Sequence, residues 1–520
     1  MSEAALFSLS DKTGAAEVAR ALADRGVTIY ATGGTRTFLA DNGIAARDVE
    51  DLTGFPPLFD GRVKTLHPKV FGAILYDRDK ETHRGEVRQY AIADLKYLAV
   101  NLYPFEATVA REGTTLPEAI EQIDIGGVSL LRASAKNFAH VTVLSHPSQY
   151  AAFLKALPNG GLDDSARRRL AIAAFERTAE YDVAIAHYLA TKGEVLPSEL
   201  PGALTLTMPL AQRLRYGENP QLRAAFYLQD RAALPEQLHG KELSYNNLLD
   251  LDGTLRLLSR APLGAEFGSE HERFVRAAIV KHTVPCGVAQ RSSVEKAVRD
   301  ALDADPVSAF GGIIAVDAEV DLAAAEALST FFLEIVAAPS FSDDALAVLK
   351  KKKNLRIMRY QDGLPERLQR ELQLRSALGG VLAEEEDRSY KAESWRVVSK
   401  RQPLPQEWHD LAFAWDVVRH VKSNGVVIAK GGATRGICAG QTNRVSAVLI
   451  AGRRAGENAR GAACASDGFF PFPDGLEEAA KAGCTAIIAP EGSVRDAEVI
   501  EAADRLGVSL VFSSHRYFLH

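Results

Sequence analysis

Lys281 and His282 stand side by side after the apolar run Phe274 to Val280. Imidazole titrates near neutrality, so this pair at a strand end offers a base beside a fixed cation, although an ordinary hydrogen-bonded histidine would look the same. Arg215-Tyr216-Gly217-Glu218-Asn219-Pro220 packs charge, an aromatic ring and turn residues into a short space. Ser8-Leu9-Ser10-Asp11-Lys12-Thr13-Gly14 follows an apolar run and opens a helix, and Thr32-Gly33-Gly34-Thr35 repeats that arrangement. Free backbone N–H groups and hydroxyls can converge there on an anion, and either segment alone could be a plain helix cap. Two such loops on adjacent strand ends favour a phosphorylated ligand. The GxxxxGK[ST] spacing is absent, so neither is a Walker loop.

Lys64-Thr65, within Gly61 to Pro68, could serve a phosphate or a developing oxyanion, or be a solvated loop lysine near a structural His67. Tyr103, in Asn101-Leu102-Tyr103-Pro104-Phe105, could donate a proton or simply pack. Asp124, ahead of Ile125-Gly126-Gly127, could cap a helix or act as a base, and Lys136-Asn137 ends that helix. The run Lys350 to Lys353 reads as a solvated face rather than a nucleic-acid patch.

These residues need elements to hold them. Ala4 to Ser8, Val27 to Ala31, Tyr97 to Leu102 and His140 to Leu144 read as strands, separated by amphipathic stretches such as Ala15 to Leu22. Strand alternating with helix argues for a mainly parallel α/β sheet with ligands at the carboxyl ends of its strands. A long helix from about Asp164 to Leu189 closes this unit, and Pro197, Pro201 and Pro209 with Gly193 and Gly202 set a boundary near residue 200. Beyond it, two halves each put polar groups at the edge of an apolar run: Lys281-His282 beside Phe274 to Val280, and Lys422-Ser423-Asn424 beside Val426 to Ala429. That hints at an internal duplication.

Composition narrows the function classes. The 520 residues are 47% hydrophobic and 25% charged, with a net charge of −6, so no global basic field invites nucleic acid or anionic membrane. Four cysteines, none at CxxC spacing, fit a reducing compartment. The first residues lack the basic start and long apolar stretch of a signal peptide, and no apolar run is long enough to span a bilayer; a cytoplasmic protein is expected.

Taken together, the motifs resemble the bifunctional phosphoribosylaminoimidazolecarboxamide (AICAR) formyltransferase/inosine monophosphate (IMP) cyclohydrolase family over essentially the whole chain. The markers stand in the family's order: SDKTG at 10–14, TGGT at 32–35, GRVKTLHPKV at 61–70, NLYPF at 101–105, QIDIGG at 122–127 and AKN at 135–137. RYGENP at 215–220, GKELSYNN at 240–247, KH at 281–282, DPVSAFGG at 305–312, KSN at 422–424, AGQ at 439–441 and SDGFFPFPDG at 466–475 follow.

The resemblance implies a methylglyoxal-synthase-like cyclohydrolase domain over 1–198, and a transformylase domain of two cytidine-deaminase-like subdomains over 199–520. It implies a nucleotide 5′-phosphate held around Ser10, Lys12, Thr13, Gly14, Gly34, Thr35 and Thr65, with Lys64, Tyr103, Asp124 and Lys136 around the reacting end. In the second domain it implies His282 as base, with Lys281 and Asn424 stabilising charge or positioning the reactants. Arg215, Tyr216, Asn246 and Arg444 would bind the nucleotide, and Ser308, Phe310 and the Pro339 region would contact the folate. The implied ligands are AICAR, its formamido derivative, IMP and 10-formyltetrahydrofolate as co-substrate. A homodimer is expected, with no metal, nucleic acid or membrane partner.

A zinc deaminase needs a PCxxC pair and HxE. Ala289 interrupts the first, and His282 is followed by Thr283 and Val284, so Cys286 reads as a small buried residue. Four places depart from the family pattern: Val284 where Asn is usual, the pair Gln221-Leu222 after RYGENP in place of His-Gln, Phe71 where His is common, and Cys438 where Gly is common. They motivate an alternative in which the cyclohydrolase is active and the transformylase is impaired or uses another donor. A regulatory phosphate sensor is the third reading; the presence of Lys64, Tyr103, Asp124 and Lys136 argues against it.

Overall fold

The computed structural model describes residues 2–59, 62–192, 200, 203–228, 234–259, 274–368, 372–385 and 394–520. The chain divides into two compact units, Met1–Thr207 and Met208–His520. The expected boundary between 198 and 199 lies outside the described residues, as does Gly61 of the Lys64 segment.

In the first unit, strands β1 (Glu3–Ser8), β2 (Thr28–Ala31), β3 (Arg47–Asp48), β4 (Asp94–Val100) and β5 (Thr142–Leu144) form one sheet in the order β3-β2-β1-β4-β5. All its pairings are parallel. β1 has an apolar run, Ala4 to Phe7, because helices cover both faces of a parallel sheet. The fourth strand begins at Asp94, earlier than the apolar run at Tyr97 suggested, and ends before Asn101, which leaves Asn101 and Tyr103 in the loop at its carboxyl end. The helix Asp164–Lys192 packs through Tyr181 and Tyr188 against Phe105 and the core below it.

The second unit opens with a two-stranded ribbon of β6 (Leu210–Leu214) and β7 (Ala224–Tyr227). Then come β8 (Glu236–His239), β9 (Val275–Lys281), β10 (Val284–Arg291), β11 (Gly312–Val316), β12 (Leu333–Ala338) and β13 (Arg356–Arg359), in the sheet order β10-β9-β11-β12-β13-β8. A hairpin of β14 (Gln373–Ala377) and β15 (Gly380–Glu384) follows. A second sheet is built from β16 (Arg396–Val397), β17 (Val426–Ala429), β18 (Thr434–Cys438), β19 (Ala463–Ser466), β20 (Ala486–Pro490) and β21 (Ser509–Ser513), ordered β18-β17-β19-β20-β21-β16 when read from the matching edge.

The two sheets have the same strand order and the same parallel and antiparallel pairings, so the second unit is an internal duplication. The same close approach recurs in both lobes. A Cβ on Gly287 of β10 would lie 2.0 Å from the carbonyl oxygen of Ala301, and one on Gly436 of β18 would lie 2.1 Å from that of Ala451. Each lobe therefore requires glycine where its hairpin strand meets the following helix, Val294–Ala304 or Arg444–Ala455. Lys281-His282 and Lys422-Ser423-Asn424, which suggested the repeat, are not equivalent: the first pair ends β9, while the second segment precedes β17.

The lobes join edge to edge. Ala289 of β10 bridges Ala433 antiparallel, the Gln290 amide donates to the Gly432 carbonyl at 2.9 Å, and the Thr434 hydroxyl accepts from the Val288 amide at 3.0 Å. Arg276 of β9 forms a buried ion pair with Asp416 of the helix Pro405–Val418, tying the lobes through their shared core. Among the described residues, no helix is long and apolar enough to cross a membrane.

Candidate active sites

In the first unit the carboxyl ends of β1, β2 and β4 surround a cavity of about 670 Å³ lined by Ser10, Lys64, Thr65, Asn101, Tyr103 and Asp124, among others. The helix Gly33–Asp41 starts at Thr32 with no side-chain cap, so its first amides are open to an anion. Lys64 reaches the same place: its Nζ would lie 3.8 Å from a Cβ on Gly33, and it pairs with Asp48 at 3.4 Å. The Thr35 hydroxyl is only 2% exposed and is spent within the protein, accepting from the Leu9 amide and donating to the Leu9 carbonyl. Thr35 thus binds the two loops to each other. Lys12, Thr13, Gly14 and Gly34 belong to these loops but do not line the cavity.

Asp124 sits at the start of the helix Gly126–Lys136, and its Oδ1 accepts from the Gly127 amide at 2.7 Å. The carboxylate folds so closely over Gly127 that a Cβ there would lie 2.4 Å from Oδ2. The capping contact is thus present, in a residue that also lines the cavity. Burial pushes the Asp124 carboxyl above the usual carboxylate range, against the amides of Gly127, Tyr103 and Gly126. Burial likewise raises the Tyr103 hydroxyl, and the Asp124 charge adds to it.

Lys136 is not brought into this group. It is exposed at the far end of the same helix, ten residues from Gly126 and so roughly 15 Å along the axis, beyond the reach of a lysine within one chain. Asn101 is the contributor that the candidate set lacked. Its Oδ1 accepts from the amides of Ser10 and Asp11 at 2.6 and 3.0 Å, and its Nδ2 donates to the Asp11 carbonyl, so it pins the first loop.

The second unit holds two cavities that share Lys281 and His282. The larger, about 960 Å³, is lined by Arg215, Tyr216, Asn246, Asp250 and Phe310. Arg215 lies over the Tyr216 ring at 5.3 Å, and Asn246 donates to the Glu218 carbonyl at 3.3 Å. Ser244 and Asn247 cap the helix Tyr245–Arg256 reciprocally, which leaves Asn246 to face the cavity. Lys352 and Lys353 also line it, so part of the lysine run forms a wall of the site and is not simply a solvated face; burial lowers the Lys352 pKa. Lys281 donates from Nζ to the Phe310 carbonyl at 2.6 Å. Phe310 is 57% exposed and packs on Phe332 with ring centroids 5.0 Å apart.

The smaller cavity, about 480 Å³, is lined by Val284, Cys286, Ser308, Cys438, Gln441 and Arg454 beside the shared pair. The antiparallel junction of β10 with β18 explains this company, since it sets the start of one strand beside the end of the other. Asn424 reaches the region indirectly: its Nδ2 and its amide both donate to the Gln441 carbonyl, at 2.8 and 3.1 Å. Arg444 does not line either cavity. It is 7% exposed and forms an ion pair with Asp467, which also accepts from the Ser423 hydroxyl. The expected nucleotide ligand is thus, within one chain, part of the support beneath the Ser423-Asn424 segment. Pro339 lines neither cavity.

Cys286 is buried, and burial pushes its thiol up to about 11. Among the described residues, the group close enough to share a metal ion is Asp77, Asp79 and His140, none of which lines these cavities. Of the departures, Val284 and Cys438 line the smaller cavity, and Phe71 packs against the core of the first unit.

The model of the AICARFT/IMPCHase bienzyme family matches residues 134–454, and that of the MGS-like domain matches residues 14–129. A "Bifunctional purine biosynthesis protein PurH" of Desulfitobacterium hafniense (strain DSM 10664 / DCB-2) is 48% identical over 532 residues, covering all of both chains. One of Bacillus cereus (strain B4264) is 46% identical over 529 residues, again covering both chains in full. A solved structure titled "Crystal structure of ForH" is 35% identical over 37% of this chain and 99% of that one, with a TM-score of 0.34.

Proposed function

The chain belongs to the AICARFT/IMPCHase bienzyme family, and on that premise we propose how its residues divide the two reactions. The protein is a bifunctional enzyme of purine biosynthesis, an AICAR formyltransferase and IMP cyclohydrolase. The observation that carries the assignment is that two cavities of the second unit meet at Lys281 and His282. Formyl transfer joins two substrates at one base. The nucleotide occupies the larger cavity, whose lysines and Arg215 suit a phosphate, and the formyl donor approaches through the smaller one.

The 5-amino group of AICAR is a poor nucleophile because its lone pair is delocalised into the ring. His282 takes its proton as the nitrogen bonds to the formyl carbon, and Lys281 steadies the charge gathering on the formyl oxygen. The folate nitrogen leaves with a proton. Asn424 acts through Gln441, Ser308 borders the donor's path, and Phe310, a wall of the larger cavity, holds Lys281 through its carbonyl. The donor is 10-formyltetrahydrofolate.

Ring closure belongs to the first unit. The carboxamide nitrogen of the formamido nucleotide bonds to the formyl carbon and gives its proton to Asp124. Lys64 stabilises the developing oxyanion and Tyr103 protonates it to a hydroxyl. Asp124 then returns its proton as the C–O bond breaks and water leaves, while the former formamido nitrogen gives its N–H proton to the Tyr103 phenolate as the C=N bond forms. The open amides at the start of the helix Gly33–Asp41, with Ser10 and Thr65, receive the 5′-phosphate. No observation favours an impaired transformylase. We further assign the protein to the cytoplasm, as a homodimer.

The division of labour is tested by separate assays. His282→Ala is expected to lower formyl transfer by roughly 10²–10⁴-fold and leave cyclisation of the preformed formamido nucleotide intact. Lys64→Ala is expected to lower cyclisation by roughly 10²–10³-fold and leave formyl transfer intact. Loss of both activities in either folded variant contradicts the assignment.

A further inference from the structure

The hairpin of β9 and β10 closes through two residues, His282 and Thr283, because Lys281 pairs directly with Val284. Both central residues have positive φ, 54° and 60°. A two-residue hairpin favours this form because its twist matches that of the strands, but the form suits Asn and Gly. Threonine, branched at Cβ, resists it. The strain therefore falls on the residue that serves as base and on its neighbour.

One side chain holds both strained amides. Asp250 of the helix Tyr245–Arg256 accepts from the His282 amide through Oδ2 at 3.2 Å and from the Thr283 amide through Oδ1 at 2.6 Å. Bonds to a carboxylate are stronger than those between neutral groups, and the two-point grip fixes orientation as well as position. The helix is itself fixed at its start by the Ser244–Asn247 cap. On the other side of the turn, the Thr283 hydroxyl donates to the His282 carbonyl at 2.7 Å, and Lys281 is held by Phe310.

We propose that Asp250 is the positioning residue of the transformylase site: its carboxylate clamps the strained His282-Thr283 turn and so sets His282 where the two cavities meet. This rests on the assignment of formyl transfer to His282. Strain at a functional turn persists only where the surroundings hold it, and Asp250 supplies that hold from an element distant in sequence.

The test compares wild type, Asp250→Ala, Asp250→Asn, Thr283→Gly and the double variant Asp250→Ala/Thr283→Gly, in the full-length protein. The readouts are kcat and nucleotide KM for formyl transfer, the pH profile and the melting temperature. Asp250→Ala is expected to lower kcat by about 100-fold, as a misplacement near 1 Å does, with nucleotide KM nearly unchanged. Asp250→Asn keeps one acceptor and loses less. Glycine adopts positive φ without cost at Cβ, so Thr283→Gly is expected to restore most of the loss in the double variant. The shape of the pH profile is expected to be unchanged, because a positioning carboxylate moves no proton.

The proposal is overturned if folded Asp250→Ala transfers formyl at the wild-type rate. It is also overturned if Thr283→Gly rescues nothing, or if Asp250→Asn abolishes the acid limb of the profile, since the carboxylate would then move the proton itself. If Asp250→Ala does not fold, the Asp250→Asn comparison reads the same quantities. Inactive wild type would instead remove the transformylase assignment.

Discussion

Asp124 and Lys64 show how a single position gains its chemistry from its surroundings. A carboxyl held above its ordinary value of about 3.9 is a stronger base when ionised, but only above its raised pKa. As pH falls through that raised value the carboxylate is protonated and cyclisation fails, so kcat/KM for ring closure is expected to show an acid limb above the ordinary aspartate range. Asp124→Asn should remove that limb along with most of the rate; an unchanged profile would show that another group titrates. The Asp124 and Tyr103 motifs could be read as candidate machinery from residue type and spacing. Asn101 and Asp250 could not, because each acts on a loop about 90 or 30 residues away, and only the fold makes them neighbours. The ion pair of Arg444 with the buried carboxylate of Asp467 was likewise not legible, because a motif arginine carries no sign of its partner in the fold. Lys136 shares a helix with the Asp124 loop, and helical rise alone separates them.

At the scale of elements, the duplication is the main device. Its trace in the sequence was faint, because equivalent strands have kept an apolar character but not their identities. The polar segments that drew attention to it lie at opposite ends of equivalent strands. What the lobes share is strand order and one glycine each. Gly287→Ala or Gly436→Ala would drive a methyl group into the carbonyl of a helix packed against the strand. Overpacking of this kind costs about 1–3 kcal/mol, and more where backbone meets backbone. Urea denaturation of Gly287→Ala is expected to show a lowered midpoint for the second unit, with cyclisation retained by the first; an unshifted midpoint would mean that the helix yields freely. The parallel sheet of the first unit was more legible, since an apolar strand followed by a loop and a helix repeats at short range.

For the whole molecule, a net charge of −6 disfavours polyanionic partners, while Arg215, Lys241, Lys281, Lys352, Lys353 and Arg356 concentrate positive charge around the larger cavity of the second unit. The hairpin of β14 and β15 exposes Leu378, Val381 and Leu382, an apolar surface that one chain leaves uncovered among the described residues. Such a hairpin suits the homodimer proposed above. Sedimentation is expected to give twice the mass of one chain, and Leu382→Asp is expected to shift the protein toward the monomer. An unaffected dimer would move the interface elsewhere. The central claim is that one chain carries both reactions, and it is tested most directly by supplying the purified protein with AICAR and 10-formyltetrahydrofolate and following tetrahydrofolate and IMP together. Both products are expected to form from the single protein; formation of neither, or formyl transfer with no IMP, would contradict the account.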